Sequence, residues 1–157
     1  MSGTGFAVDV QPIYEIGPLD TYGAVVLGSA VHNMAGLPQA AAFVRTYATD
    51  LARRPVRLFS VSSVGDTSSF FGPRVARFLR RMRKESKDVA AFRQATKAWE
   101  QRNFSGAIAP SHWPLTGRLF LTIFGGHYGD HRDWHDIDTF ADRIARQLLA
   151  SEQVASA

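Results

Sequence analysis

The stretch AVVLGSAV, residues 24–31, decides the fold class of this chain. It is almost entirely apolar and rich in β-branched residues, as expected for a parallel strand that is covered on both faces. The run VRLFSV, residues 56–61, has the same character and leads into SSVGDTSSFFG, a loop of glycines and hydroxyl side chains. Two buried strands with a helical segment between them predict an α/β fold with a parallel sheet.

Two further strands are predicted on either side of this pair. In FAVDV, residues 6–10, apolar residues alternate with Ala7 and Asp9, which predicts a short strand near a sheet edge. FSGAIAP, residues 104–110, predicts another strand. For LFLTIF, residues 119–124, periodicity alone leaves strand and short helix open.

Apolar residues at helical spacing fill the gaps between the strands. One helix is predicted to begin at Pro38 and to end before Pro55, and a last helix to begin at Trp134 behind an Asp133 cap. Between them, two helical stretches near residues 75–82 and 89–99 are separated by the polar run KESKD. The positions behind these predictions are Leu37, Ala41, Val44, Ala48, Leu51, Val75, Phe78, Leu79, Met82, Val89, Phe92, Trp99, Ile137, Phe140, Ile144 and Leu148.

Length and composition bound the organisation of the chain. At 157 residues and 45% hydrophobic content, we expect one domain over residues 1–150 and a frayed tail over residues 151–157. The absence of cysteine excludes disulfides and thiolate metal sites. No run approaches the ~18 apolar residues of a membrane span, and the start lacks the order of a secretory signal, so the predicted location is cytoplasmic.

The net charge of +4 is concentrated in a basic segment, Arg74–Lys87. No helix-turn-helix, stacking-aromatic strand or zinc pattern accompanies it, so we expect no nucleic-acid partner. Two interpretations of the segment stay open. It either steers acidic substrates or anionic lipid, which includes peripheral membrane contact, or it is a solvated helix face.

Five stretches in fixed order carry a family resemblance: YGAVVLGSAV, LPQAAAFV, RPVRLFSVSSVG, FSGAIAP and GDHRDWHDIDTFADRIA. Together they resemble the flavodoxin-domain family, which includes menaquinone-dependent protoporphyrinogen oxidase, over roughly residues 5–149. The resemblance implies a flavodoxin-like, doubly wound parallel sheet with strand order 2-1-3-4-5. It also implies an FMN-dependent oxidoreductase that moves electrons between a small-molecule substrate and a quinone.

The resemblance places the isoalloxazine ring of FMN between the loops after the second and third strands. Small residues there would let backbone amides reach the flavin, and Phe70, Phe71 or His32 would stack on its ring. The alternative interpretation is that these are tight strand-to-helix turns, in which Gly and Ser are favoured anyway. No catalytic acid or base is identified. The implied cofactor residues are Ser29, Ala30, Val31, His32, Asn33, Ser62, Ser63, Val64 and Gly65.

Family members begin with a strand, a phosphate-binding loop and a helix, and only Gly3-Thr4-Gly5 stands where these would lie. We therefore expect an N-terminally truncated fold without its first central strand and helix, and without the FMN phosphate site. Three arrangements are open: a start upstream of Met1, direct pairing of the strands at Phe6 and Ala24, or a second chain in the gap. An unpaired edge predicts a homodimer or poor solubility. The alternative function is a cofactor-free interaction domain.

Three histidines recur every four residues, at 127, 131 and 135. On a continuous helix they would align as metal ligands. Gly125, Gly126 and Gly129 argue against that continuity. A loop followed by an acid-capped helix explains the same residues, and the sequence therefore predicts no metal site.

Overall fold

The computed structural model describes residues 5–32, 35–36, 38–83, 87–96, 98, 100–112 and 115–155. Two short 3-10 turns, Leu19–Thr21 and Pro110–His112, accompany its strands and helices. The strands are β1 Val25–His32, β2 Ala35–Gly36, β3 Val56–Ser62, β4 Glu100–Ser105, β5 Ala107–Ile108 and β6 Gly129–Asp130. The helices are α1 Pro38–Thr46, α2 Ala48–Leu51, α3 Pro73–Met82, α4 Lys87–Thr96, α5 Leu115–Ile123 and α6 Trp134–Ala155.

The sheet confirms the predicted α/β class. Its order is β2-β1-β3-β4, and β1, β3 and β4 are parallel. Leu27 lies opposite Leu58, and Ser60 lies opposite Asn103. The two-residue β2 runs antiparallel to the end of β1, and β5 and β6 form a separate antiparallel pair. Parallel strands need helical crossovers, which α1 to α4 supply here.

Helices cover both faces of the sheet. On one face, Leu27 and Leu58 pack with Phe43 of α1 and Phe92 of α4. On the other face, α6 lies over β3 and β4, as the predicted apolar stripe requires. The residues in this second layer are Phe59, Phe104, Ile137, Phe140, Ile144 and Leu148.

A third apolar cluster lies beyond the carboxyl ends of the strands. Phe70 and Phe71 from the loop after β3 pack there with Ile108 and Leu121, while Val75 of α3 lies against them. This cluster fixes the loop after β3 between α3 and α5. For residues 119–124 the sequence left strand and helix open. The structure shows a helix, because residues 119–123 belong to α5.

The strand predicted at residues 6–10 is wrong. The chain there is not hydrogen-bonded into a sheet, and Val10 is 88% exposed. The Tyr22 hydroxyl donates to Asp9 Oδ2 at 2.6 Å and ties this arm to the 3-10 turn. A five-residue alternation makes a strand only if a neighbouring strand takes up its hydrogen bonds. Of the three arrangements considered, direct pairing of this segment with β1 is therefore contradicted.

Several boundaries also differ from the prediction. The strand predicted over residues 104–110 is two strands, because β4 ends at Ser105 and β5 turns away to pair with β6. The helix predicted after Pro38 is broken at Tyr47 into α1 and α2. Helix α6, whose end was not predicted, continues to Ala155.

Some predicted positions lie outside the described residues. These are the break in KESKD at residues 84–86, Leu37, and the end of the second helical stretch at Trp99; α4 itself ends at Thr96. Among the helices that the structure describes, none combines the length and the apolarity that crossing a membrane requires.

Candidate functional site

The two segments assigned to the cofactor leave the sheet at the same edge. Ser29 lies opposite Ser60, and Ala30 opposite Val61, so β1 and β3 end side by side. The carboxyl edge of a parallel sheet is where α/β proteins bind ligands. The structure thus brings residues 29–32 and 62–65 together, as the resemblance implies, while Asn33 lies outside the described residues.

The first of these segments is strand rather than loop. Residues 29–32 are the last four of β1, and Val31 and His32 also pair with β2. The Ser29 hydroxyl donates to the carbonyl of Ala30 at 3.0 Å. A strand end presents fewer free backbone amides than a loop, because the ladder takes up those that face β3.

The loop after β3 is held by its own hydrogen bonds. The Ser62 hydroxyl accepts from the N–H of Val64 at 3.2 Å and donates to the carbonyl of Val64 at 3.0 Å. The carbonyl of Ser63 accepts from the N–H of Phe70 at 2.9 Å and from the Ser69 hydroxyl at 3.2 Å. Serines in such a loop stabilise a tight turn. This half of the predicted site is therefore rigid before any ligand binds.

Gly65 is the tightest point of this loop. A Cβ atom there would lie 2.5 Å from the backbone N of Ser105 and 2.8 Å from the carbonyl carbon of Phe104. Its N–H donates to the Ser105 hydroxyl at 2.9 Å, and its carbonyl accepts from Arg80 Nε at 2.7 Å. Glycine is required because the loop backbone lies directly against β4.

The backbone donors of this loop are used inside the protein, because the N–H groups of Val64 and Gly65 donate to the hydroxyls of Ser62 and Ser105. The prediction that Phe70 or Phe71 stacks on the ring is wrong, since both lie in the third cluster and are 7% and 8% exposed.

The sequence did not predict an ion-pair network that lies behind the loop after β3. Arg102 of β4 forms a salt bridge with the buried Asp136 of α6. Asp136 Oδ2 also accepts from the Thr67 hydroxyl at 3.1 Å, and Asp66 pairs with Arg83 at 2.6 Å. The hydrogen bond to Asp136 raises the pKa of Arg102. The partners are 17 to 69 residues apart along the chain, so no local pattern indicates the network.

The segment that closes the family resemblance has a structural role at the start of α6. Asp133 Oδ1 accepts from the N–H of Asp136 at 3.1 Å, which confirms the predicted cap and lowers the pKa of Asp133. Two residues of this segment also pair with each other, because Arg132 donates to Asp130. That contact lowers the pKa of Asp130 to about 2. The Arg132 guanidinium also lies 4.6 Å from the centre of the Trp134 ring.

The three histidines do not share a helix, because β6 and a turn separate α5 from α6. His131 packs its ring on Phe70 at 5.2 Å, and its Nε2 lies 2.8 Å from the carbonyl oxygen of His127. Across the described ranges, no three His, Asp or Glu side chains gather closely enough to hold a metal ion.

The fold and this edge define a class: a parallel α/β domain with a rigid, hydroxyl-rich loop at the carboxyl ends of its strands. A family model described as "Flavodoxin domain" matches residues 1–121, and the chain belongs to this family. Comparison with curated proteins gave no match, and comparison with solved structures gave none either.

Proposed function

We propose that this chain is a flavodoxin-type redox protein that holds the isoalloxazine ring of FMN where β1 and β3 end. The observation that carries the proposal is the side-by-side arrangement of residues 29–32 and 62–65 at the carboxyl edge of the sheet. The hydrogen bonds of the loop support it, because a ring site built on a pre-ordered loop loses little conformational entropy on binding.

The described residues divide into two roles in this proposal. The end of β1 and Ser63 contact the ring, while Val64 and Gly65 keep the loop in place through β4 and Arg80. FMN, when bound, supplies the chemistry, since the flavin takes up and releases electrons. The chain contributes binding, orientation and the hydrogen-bonding environment that sets the redox potential.

The resemblance extends the proposal to a substrate and an acceptor. We propose a reduced tetrapyrrole of the protoporphyrinogen type as electron donor and a quinone as acceptor. Helix α3 supports peripheral contact with a quinone-bearing membrane, because Phe78 and Met82 are 59% and 62% exposed beside its arginines.

Flavin retention tests the ring site directly. The full chain is mixed with FMN or riboflavin and desalted, and the bound flavin is measured by absorbance and fluorescence. We expect both to be retained, because the residues assigned here contact the ring and not the phosphate. Ala30→Leu fills the ring position and should abolish retention. Val26→Leu serves as the control, since it lies about 13 Å nearer the start of the same strand.

A colourless wild-type protein would refute the ring site, and so would equal retention by Ala30→Leu and Val26→Leu. If flavin is retained, anaerobic mixing with protoporphyrinogen alone, followed by addition of menaquinone, tests the finer assignment. We expect the tetrapyrrole to reduce the bound flavin and menaquinone to reoxidise it, and a spectrum that stays oxidised in the first step would restrict the proposal to other donors.

A specific feature of β1 favours the second candidate, a cofactor-free interaction domain. Residues 25–30 pair with β3 on one side, and within the described part of the chain they have no strand on the other. Val26 is 41% exposed on this edge, and the strand carries no Asp, Glu, Lys or Arg. Open, uncharged edges pair readily with other strands. A second copy of this chain is the proposed partner.

Mass and flavin content together separate the two functions. A dimer by light scattering that becomes monomeric in Val26→Lys, with no flavin retained, would establish the interaction domain. A monomeric wild-type protein would reject it.

A further inference from the structure

A concave site lies beside the loop after β3, and Arg80, which also holds that loop in place, is one of its lining residues. It is a cleft of about 650 Å³ between residues 67–71 and the outer face of α3. The loop lines one wall with three hydroxyl-bearing residues, and α3 lines the other with three arginines; these are Thr67, Ser68, Ser69, Arg77, Arg80 and Arg81. Phe71, Pro73 and Ala76 also line the cleft.

Within the part of the chain that the structure describes, no carboxylate lines this cleft, so its positive charge is not neutralised there. The two acids behind the loop are engaged elsewhere: Asp66 with Arg83, and Asp136 with Arg102. Carboxylates that are already paired leave the excess charge of the neighbouring arginines exposed to any anion that enters.

The three arginines of the cleft are held differently. Arg80 is fixed by the backbone, because Nε donates to the carbonyl of Gly65 at 2.7 Å and Nη2 to that of Ser68 at 2.9 Å. Neutral carbonyls position its charge without cancelling it. Arg77 and Arg81 are exposed and form no salt bridge with the residues the structure describes. They lie one helical turn apart, about 6 Å along α3.

We infer that this cleft binds the phosphoryl group of a small molecule, with two linked phosphoryls as the best match. A guanidinium fork donates two parallel hydrogen bonds to phosphoryl oxygens, and two forks one turn apart match two such groups. The hydroxyl of Ser68 adds a donor from the opposite wall. The small, buried Ala76 at the base of the cleft leaves room for the ligand.

Calorimetric titration of the full chain with inorganic pyrophosphate, at about 50 mM salt, tests the inference. We expect binding, and about tenfold or greater loss of affinity in Arg77→Gln/Arg81→Gln, because each fork contributes charge-assisted hydrogen bonds. The matched control is Arg45→Gln/Arg53→Gln, which removes two exposed charges beside α1 and α2. Circular dichroism verifies that both variants are folded.

Four results would overturn the inference. The first is no binding of pyrophosphate up to about 1 mM. The second is an equal loss of affinity in both double variants, which would show only an effect of net charge. The third is equal or tighter binding of citrate, which would assign the cleft to carboxylates.

The fourth is binding to phosphatidylglycerol vesicles, lost in Phe78→Ser, by a protein that does not bind pyrophosphate. That would make the arginines part of a membrane face. All four readouts use the flavin-free protein, so failure of this inference leaves the flavin proposal standing, and the reverse also holds.

Discussion

Replacing Gly65 with alanine tests whether the loop after β3 depends on its close approach to β4. The new Cβ would lie 2.5 Å from the backbone N of Ser105, about 0.9 Å closer than the shortest ordinary contact of 3.4 Å. Backbone atoms on both sides cannot rotate away, so the loop must move. Overpacking of this kind costs about 1–3 kcal/mol. Displacement also weakens the hydrogen bonds to Ser105 and Arg80, at about 1 kcal/mol each.

The expected loss in the free energy of unfolding for Gly65→Ala is therefore about 3–5 kcal/mol. Urea unfolding followed by circular dichroism measures it. Gly23→Ala is the matched control, because nothing lies within 4 Å of its Cβ position. That variant should be unchanged or more stable by up to about 1 kcal/mol, through the lower entropy of the unfolded chain. A Gly65→Ala protein within about 0.5 kcal/mol of wild type would refute the close packing of this loop.

Two further predictions concern charges on and beneath α6. Arg57 is buried and donates from Nη2 to Gln147 Oε1 at 2.5 Å. Gln147→Ala should therefore cost about 1–3 kcal/mol in urea unfolding, because it removes a hydrogen bond from a charged donor. Arg57→Leu should be close to neutral or stabilising, because burial lowers the pKa of this arginine and its charge is expensive to bury. A larger loss in Arg57→Leu than in Gln147→Ala would contradict this account. The pKa of Asp130 is lowered from 3.8 to about 2 by Arg132, so the stability from this pair is complete above pH 4 and is lost as pH falls towards 2. In thermal melts across this range, Asp130→Asn should flatten the decline, whereas the exposed Asp138→Asn should follow wild type, and parallel curves for all three proteins would argue against the pair.

The parts of the fold that depend on local pattern were predictable. An almost uninterrupted apolar run predicts strand β1, and apolar residues at helical spacing behind the Asp133 cap predict α6. The predicted starts of both elements agree with the structure to within a residue or two. The resemblance to the flavodoxin-domain family, carried by stretches of the sequence, is confirmed by the family model over residues 1–121.

The structure brings the two predicted segments together and contradicts the roles expected of Phe70 and Phe71. Residues 29–32 and 62–65 do meet at the carboxyl edge of the sheet, a consequence of parallel topology alone. The roles given to Phe70 and Phe71 failed because burial depends on α5 and α3, which come from other parts of the chain. The amino-acid composition of a loop does not show which of its backbone amides are already hydrogen-bonded within the protein.

The sequence by itself determined the class of this protein, since hydrophobic periodicity and helix caps are read within windows of about 18 residues or fewer. Only the tertiary structure decided that residues 6–10 form no strand, that β4 and β5 separate at Gly106, and that Arg102 reaches Asp136. The physical reason is the same in each case. A strand needs a neighbouring strand to satisfy its hydrogen bonds, and a buried charge needs a partner of opposite charge. Both are supplied by segments that are distant in sequence, and the positions of these segments are fixed only when the whole core packs.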